Sequence, residues 1–161
     1  MSFHICLKSD KSLPQLAAEI CQLLSLPPFQ EDALVGEPYF QFEVFGMSIL
    51  LHPIDMEDRE PEVMTYPYSL DIHYSFLEHN LDTDDLEYRL QPYYAQLLSF
   101  HLGLDTAHFE KQKIDRKWQI RYRFYSKNSR WNPGILYGEP GWQPAVTEHP
   151  PTSWRFMHAI F

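Results

Sequence analysis

The sequence predicts an α+β domain, an antiparallel sheet with two helices in the order (β)αβββαββ, followed by an irregular Pro/Trp-rich C-terminal extension. Three observations carry this. Over residues 65–77 the bulky Tyr66, Tyr68, Leu70, Ile72, Tyr74 and Phe76 alternate with Pro67, Ser69, Asp71, His73 and Ser75, the period of a strand with one apolar face. Residues 12–24 and 82–102 carry helical start signals and helical spacing instead. From Ser126 onward proline, glycine and tryptophan replace any period. A wide apolar face needs strands beside it and a helix across it, and the flanking sequence offers both.

Phe3, Ile5 and Leu7 alternate with His4, Cys6 and Lys8, which suits a short first strand. Ser12-Leu13-Pro14-Gln15 has the form of a capping box, with proline in the first turn where its missing amide is tolerated. The helix it opens runs to about Leu24 with Leu16, Ala17, Ile20, Cys21, Leu23 and Leu24 inward, and Pro27-Pro28 is the expected stop. From Glu37 the period becomes two, and Phe45-Gly46 is the expected hairpin turn between two strands. After an acidic connection over residues 53–64, the stretch 65–77 is the third strand of this meander.

Leu81, Asp82 and Leu86 announce a second helix, with Asp82 as cap and Leu81 packing on Leu86. Its inward side is expected to be Leu86, Leu90, Tyr93, Tyr94, Leu97, Leu98 and His101, Gly103 its stop, and Pro92 a kink or a break. Strands over residues 107–114 and 117–125 follow, paired through Asp115-Arg116. In the latter Trp118, Ile120, Tyr122 and Phe124 point inward, and Lys117, Gln119, Arg121 and Arg123 point to solvent. This divides the chain into a domain at 1–125 and an extension at 126–161. The extension is too rich in apolar aromatic residues for a disordered tail, so it should wrap over the domain or over a second copy.

The length of 161 residues fits one domain, and 44% hydrophobic with 16% aromatic residues excludes global disorder. Cys6 and Cys21, in a chain with no secretory apolar segment, read as reduced core thiols, and the protein reads as soluble and cytoplasmic. The formal charge of -9 argues against free nucleic acid as a default partner. That charge is segregated: acids dominate residues 31–87, opposed only by Arg59, whereas residues 111–130 are basic apart from Asp115.

No motif for a serine nucleophile or a phosphate-binding loop is present. Residues 55–62 are acidic but lack the glycine and the spacing of a calcium loop, so they read as a solvated connection. Eight histidines raise the question of a metal, with His4 and Cys6 on one strand face, His73 and His79 near one strand end, and His101 and His108 beside a turn. None has dense ligand spacing, so no metal and no cofactor is expected, and His101 is the expected core imidazole.

The element order, from the capped helix at residues 12–24 to the strands ending at Tyr125, resembles the type III secretion chaperone fold over residues 12–125. That resemblance implies a homodimer built through the second helix or a sheet edge, apolar grooves for an extended segment of another protein, and no catalysis. The family closes with a short helix where this chain has its Pro/Trp-rich extension. The first expectation is therefore a non-enzymatic, protein-binding homodimer of chaperone or adaptor type, not bound to membrane, with Tyr93, Tyr94, Trp131, Trp142 and Trp154 as interface anchors. An alternative is RNA binding along the basic strand through Lys117, Arg121, Arg123 and Lys127. A third is an immunity-type inhibitor whose acidic loop at 55–62 plugs a basic toxin site.

Overall fold

The computed structural model describes residues 4–26, 30–34, 37–44, 47–74, 83–131 and 144–157. It is an α+β fold, with nine strands among the described residues joined in one antiparallel sheet. In chain order the elements are β1 (His4–Lys8), α1 (Leu13–Leu23), β2 (Gln30–Leu34), β3 (Glu37–Val44), β4 (Met47–Pro53) and β5 (Tyr68–Tyr74). There follow α2 (Thr83–Leu102), β6 (Asp105–Ile114), β7 (Lys117–Lys127), β8 (Val146–Glu148) and β9 (Arg155–Phe156). The spatial order is β2-β3-β4-β5-β1-β6-β7, with β8 and β9 both on the outer edge of β7.

β1 is the keystone of this order, because it pairs with β5 on one side and with β6 on the other. Both neighbours run antiparallel to it, so β5 and β6 are parallel to each other and are linked through α2. Ile5 and Leu7 face the two helices, and Cys6 faces the opposite side. The helix-side core gathers Leu16, Ala17 and Ile20 of α1, Ile49 and Leu51 of β4, Leu70 and Ile72 of β5, and Ala95 and Leu98 of α2. The opposite side holds Cys6, Ala107, Phe109, Ile120 and Tyr122 under Val63 and Tyr66 of the β4–β5 connection.

Local chemistry explains the ends of α1. Both halves of the capping box form, Gln15 N–H donating to Ser12 Oγ at 3.4 Å and the Gln15 side chain accepting from Ser12 N–H at 3.2 Å. The helix stops before the two prolines. Ser25 takes the left-handed conformation (φ 51°) and Leu26 N–H reaches back to the Cys21 carbonyl at 3.0 Å, which satisfies carbonyls of the last turn. Pro27 and Pro28 lie outside the described residues, as do the proposed turn Phe45-Gly46 and the helix start at Leu81-Asp82. The register Val44↔Met47 nonetheless makes β3 and β4 a hairpin. At the tip of the β6–β7 hairpin Asp115 and Arg116 both have positive φ, 49° and 65°, as a two-residue turn of this twist requires.

Several expectations are corrected. β2, β8 and β9 are strands where the sequence showed none, because an edge strand needs only one partner and little periodic signal. The strand expected over 65–77 is described as Tyr68–Tyr74, and its parity breaks at Pro67: Tyr66 packs on the opposite side, its ring 5.9 Å from that of Phe124. The polar parity of that strand is not solvated either, since Ser69 and Asp71 are buried beneath the β4–β5 connection.

α2 runs unbroken through Pro92 and is rotated from its expected face. Gln91, Ala95, Leu98 and Ser99 are buried, whereas Tyr93 and His101 are exposed. The small Ala95 allows close approach to the sheet, and Thr106 donates its hydroxyl to the Ala95 carbonyl at 2.8 Å. His108, not His101, is the buried imidazole; it stacks on Tyr125 with ring centres 5.6 Å apart, and Tyr125 Oη lies 3.0 Å from its Nε2. Burial of the ring pushes its pKa down, so the phenol donates and the neutral imidazole accepts.

Candidate functional site

The C-terminal segment lies against β7, and its position decides which of the predicted site residues are accessible. Between β8 and β9, His149 N–H donates to the Phe124 carbonyl at 2.9 Å and Thr152 N–H to the Tyr122 carbonyl at 3.0 Å, and beyond β9 Met157 N–H donates to the Trp118 carbonyl at 3.0 Å. Arg155 crosses to the β4–β5 connection. Its Nε donates to Glu62 Oε1 at 2.6 Å and its Nη2 to Glu62 Oε2 at 3.0 Å, and Nη2 also pairs with Glu60. Glu60 and Glu62 of the acidic loop are thus engaged within the molecule, while Asp55, Glu57 and Asp58 remain exposed. Among the described residues no group of three His, Cys, Asp or Glu side chains could hold a metal ion.

The basic strand is only partly the free surface the sequence suggested. Arg121 and Arg123 are not directed to open solvent. Both pair with Glu110 on β6, the Arg121 contact measuring 2.5 Å, and Arg123 also reaches Glu148 of β8 at 2.6 Å. Burial alone would raise the Glu110 carboxyl, but the hydrogen bonds from the two guanidiniums outweigh it and hold it below its usual range. Trp154 lies over the Arg121 guanidinium, 4.5 Å from ring centre to Cζ. Lys127 sits at one end of β7 over Phe100, whose ring also meets Trp131 edge-on at 4.9 Å, and Lys117 sits at the other.

Among the proposed anchors, Tyr93 alone is open, at 69% exposure; Tyr94 packs against the helix-side core, Trp131 and Trp154 are half-buried, and Trp142 lies outside the described residues.

The structure instead exposes apolar groups at the turn end of the β6–β7 hairpin. Ile114 is 41% exposed, Trp118 39% and Phe156 51%. Trp118 was expected to point inward, and it does share its parity with Ile120 and Tyr122, but the cover over that face ends before reaching it. Lys111 and Lys113 lie over the Trp118 ring at 5.3 and 5.6 Å, and Lys117 lies over Phe156 at 5.9 Å. By register Trp118 with Lys111 and Lys113 lies on one face of the hairpin end and Ile114, Lys117 and Phe156 on the other, so each face carries an exposed aromatic ring beside lysine. An aromatic residue two positions after a two-residue turn, with lysines alternating on the opposing strand, is the signal available in the sequence.

A second feature lies on the side of the sheet away from the helices, beneath the β4–β5 connection. It is a cavity of about 400 Å³ with His4 and Cys6 of β1, His52 of β4, and Ser69 and Asp71 of β5 in its lining. Strand register makes the cluster, since His4 sits opposite Asp71 and His52 opposite Ser69. Ser69 donates to Asp71 Oδ1 at 2.7 Å, and His52 Nε2 faces Asp71 Oδ2 at 3.2 Å while its Nδ1 faces the Pro53 carbonyl at 2.9 Å. Burial would raise the Asp71 carboxyl, yet the hydrogen bonds from His52 and Ser69 prevail and keep it low. Burial pushes the Cys6 thiol up to about 12, far from a reactive thiolate at neutral pH. Ser69 gives its proton to the Asp71 carboxylate.

No family of known proteins, no curated protein and no solved structure matches this chain. Among the described residues no helix is long and apolar enough to cross a membrane.

Proposed function

We propose that this chain is a non-enzymatic protein-binding module of adaptor or chaperone type and that it meets its partner with the turn end of the β6–β7 hairpin. The observation that carries the reading is the exposure of Trp118 beneath Lys111 and Lys113 on one face of the hairpin end, and of Ile114 and Phe156 beside Lys117 on the other. An apolar centre with aromatic anchors and a charged rim is the anatomy of a protein interface. The cationic rim favours a partner segment that sets acidic residues around an apolar side chain.

One observation favours RNA as a second reading: cations and exposed aromatic faces coincide at the same hairpin end, as in single-strand binding surfaces. Arg121 and Arg123 contribute less to it than the sequence suggested, because both are engaged by carboxylates. Affinity capture with the wild-type chain and with Trp118→Ala, each with and without ribonuclease, separates the two. A protein retained by the wild type, indifferent to ribonuclease and lost with Trp118→Ala supports the protein interface. Retention that vanishes with ribonuclease and falls steeply with salt transfers the surface to RNA. Equal retention by both chains removes the hairpin end from either role.

A further inference from the structure

We propose that the cavity beneath the β4–β5 connection is a binding site for a small organic cation, a protonated primary or secondary amine carried on an apolar body. The site is independent of the hairpin surface. Its volume of about 400 Å³ lies within the range of small-molecule pockets. The walls are mostly apolar, from Ile54, Val63, Phe109, Ile120, Tyr122 and Met157. Such a lining with a few convergent polar groups is the composition of a ligand site, where the apolar surface takes the body and the polar groups fix its orientation.

The sign of the ligand follows from the charged groups that face the space. Asp71 is 8% exposed and ionised, with one hydrogen bond to each oxygen, so each oxygen retains acceptor capacity directed by the strand. Asp58 lies at the rim and is exposed. Arg59 also lines the space, but its donors are committed to the backbone: Nε donates to the Ile54 carbonyl at 2.9 Å and Nη1 to the Met64 carbonyl at 3.0 Å. Glu60 is engaged by Arg155. His52 pairs with Asp71 through Nε2 and His4 lies opposite it, so the negative groups left to a ligand are Asp58 at the rim and the remaining lone pairs of Asp71, while Arg59 serves the backbone of the connection. Phe109 and Tyr122, with ring centres 6.4 Å apart and planes at 62°, add two aromatic rings that favour a cation. A bound ammonium would donate to Asp71 and lay its apolar body along the Phe109–Tyr122 wall.

The test uses three phenyl-bearing probes of similar size on the full chain: phenethylamine, phenethyl alcohol and phenylacetate, followed by amide chemical-shift titration. The expected result is binding of the amine at least tenfold tighter than of the alcohol, no binding of the acid, and shifts centred on the amides of Cys6, Asp71 and Ile120. Asp71→Asn, nearly the same in shape, should bind amine and alcohol alike. The comparison of the three probes on the unaltered protein decides the matter even if that variant does not fold. Preference for the acid, shifts located elsewhere, equal binding of amine and alcohol by the wild type, or no response to any probe overturns the proposal, as does charge discrimination that survives in a folded Asp71→Asn.

Discussion

Replacing Arg155 by methionine should release the C-terminal segment from β7 without unfolding the sheet. Arg155 is 24% exposed and Glu62 17%, and the two form a fork of paired bonds at 2.6 and 3.0 Å. Hydrogen bonds to charged groups contribute about 1.5–3 kcal/mol when sheltered, and this partly wetted fork belongs near the lower end. The Glu60 contact is more exposed, at 40%, and adds about 0.5 kcal/mol in the regime of surface pairs. The sum of about 2 kcal/mol raises the population of the detached segment about 30-fold. Amide hydrogen exchange reads this directly, because Thr152 and Met157 donate their N–H groups to β7 carbonyls. Their protection should fall about 30-fold in Arg155→Met, while that of Leu7 and Leu70 in the sheet centre stays unchanged. Unchanged protection of Thr152 and Met157 would mean that the ion pairs do not hold the segment. An equal loss at Leu7 and Leu70 would mean that the segment does not open as a unit.

The same latch should be acid-labile. Hydrogen bonding to Arg155 lowers the Glu62 carboxyl from its ordinary value of 4.5, so its contribution is complete above that pH and is lost as the pH falls through the lowered value; exchange of Met157 followed from pH 6 downward checks it. Leu16→Ala, at a fully buried site of α1, should reduce global stability by about 3 kcal/mol, read as a lower urea midpoint at constant slope. Gly103→Ala should reduce it by about 1 kcal/mol, since φ is +65° and an added Cβ meets nothing within 4 Å; denaturation should show Gly103→Asn to be milder, and equal stability of all three would contradict the backbone origin. Glu110→Gln removes the carboxylate that Arg121 and Arg123 share and should lower stability by about 1–2 kcal/mol in thermal melts. If RNA is the ligand, the same substitution should strengthen retention by freeing Arg121 and leaving Arg123 only its pair with Glu148.

What could be read from the residues was governed by how local its cause is. The capping box of Ser12 and Gln15 and the tight turn at Asp115-Arg116 depend on neighbours a few positions away, and both form as expected. The face of α2 was misjudged because Gln91 and Ser99 are polar yet buried, whereas the bulky Tyr93 is outside; the choice was made by the close approach at Ala95, which no helical period announces. Asp71 occupies the polar parity of its strand, which in an antiparallel sheet commonly meets water. Its burial depends on a chain segment folding back over it, and its meeting with His52 on the register of β4 against β5. Trp118 has the parity of a core residue and the position of an end residue, and position prevailed. The extension shows no period because its pieces are short and borrow their hydrogen bonds from β7.

The central place of β1 also sets an order of events for the chain as it is made. Residues 4–8 leave the ribosome before either of the strands that flank them, and they can pair with residues 68–71 and 105–108 only once those have been synthesised. Until β6 emerges, β1 offers an unpaired edge, with Ile5 and Leu7 apolar on one side. Pairings so distant in sequence close large loops, which slows folding and lengthens the time that edge is exposed. The strand that unites the two halves of the sheet is therefore the part of the nascent chain with most need of a holdase, and the part where a charge-neutral substitution that raises strand propensity should increase aggregation during synthesis while leaving the finished fold intact.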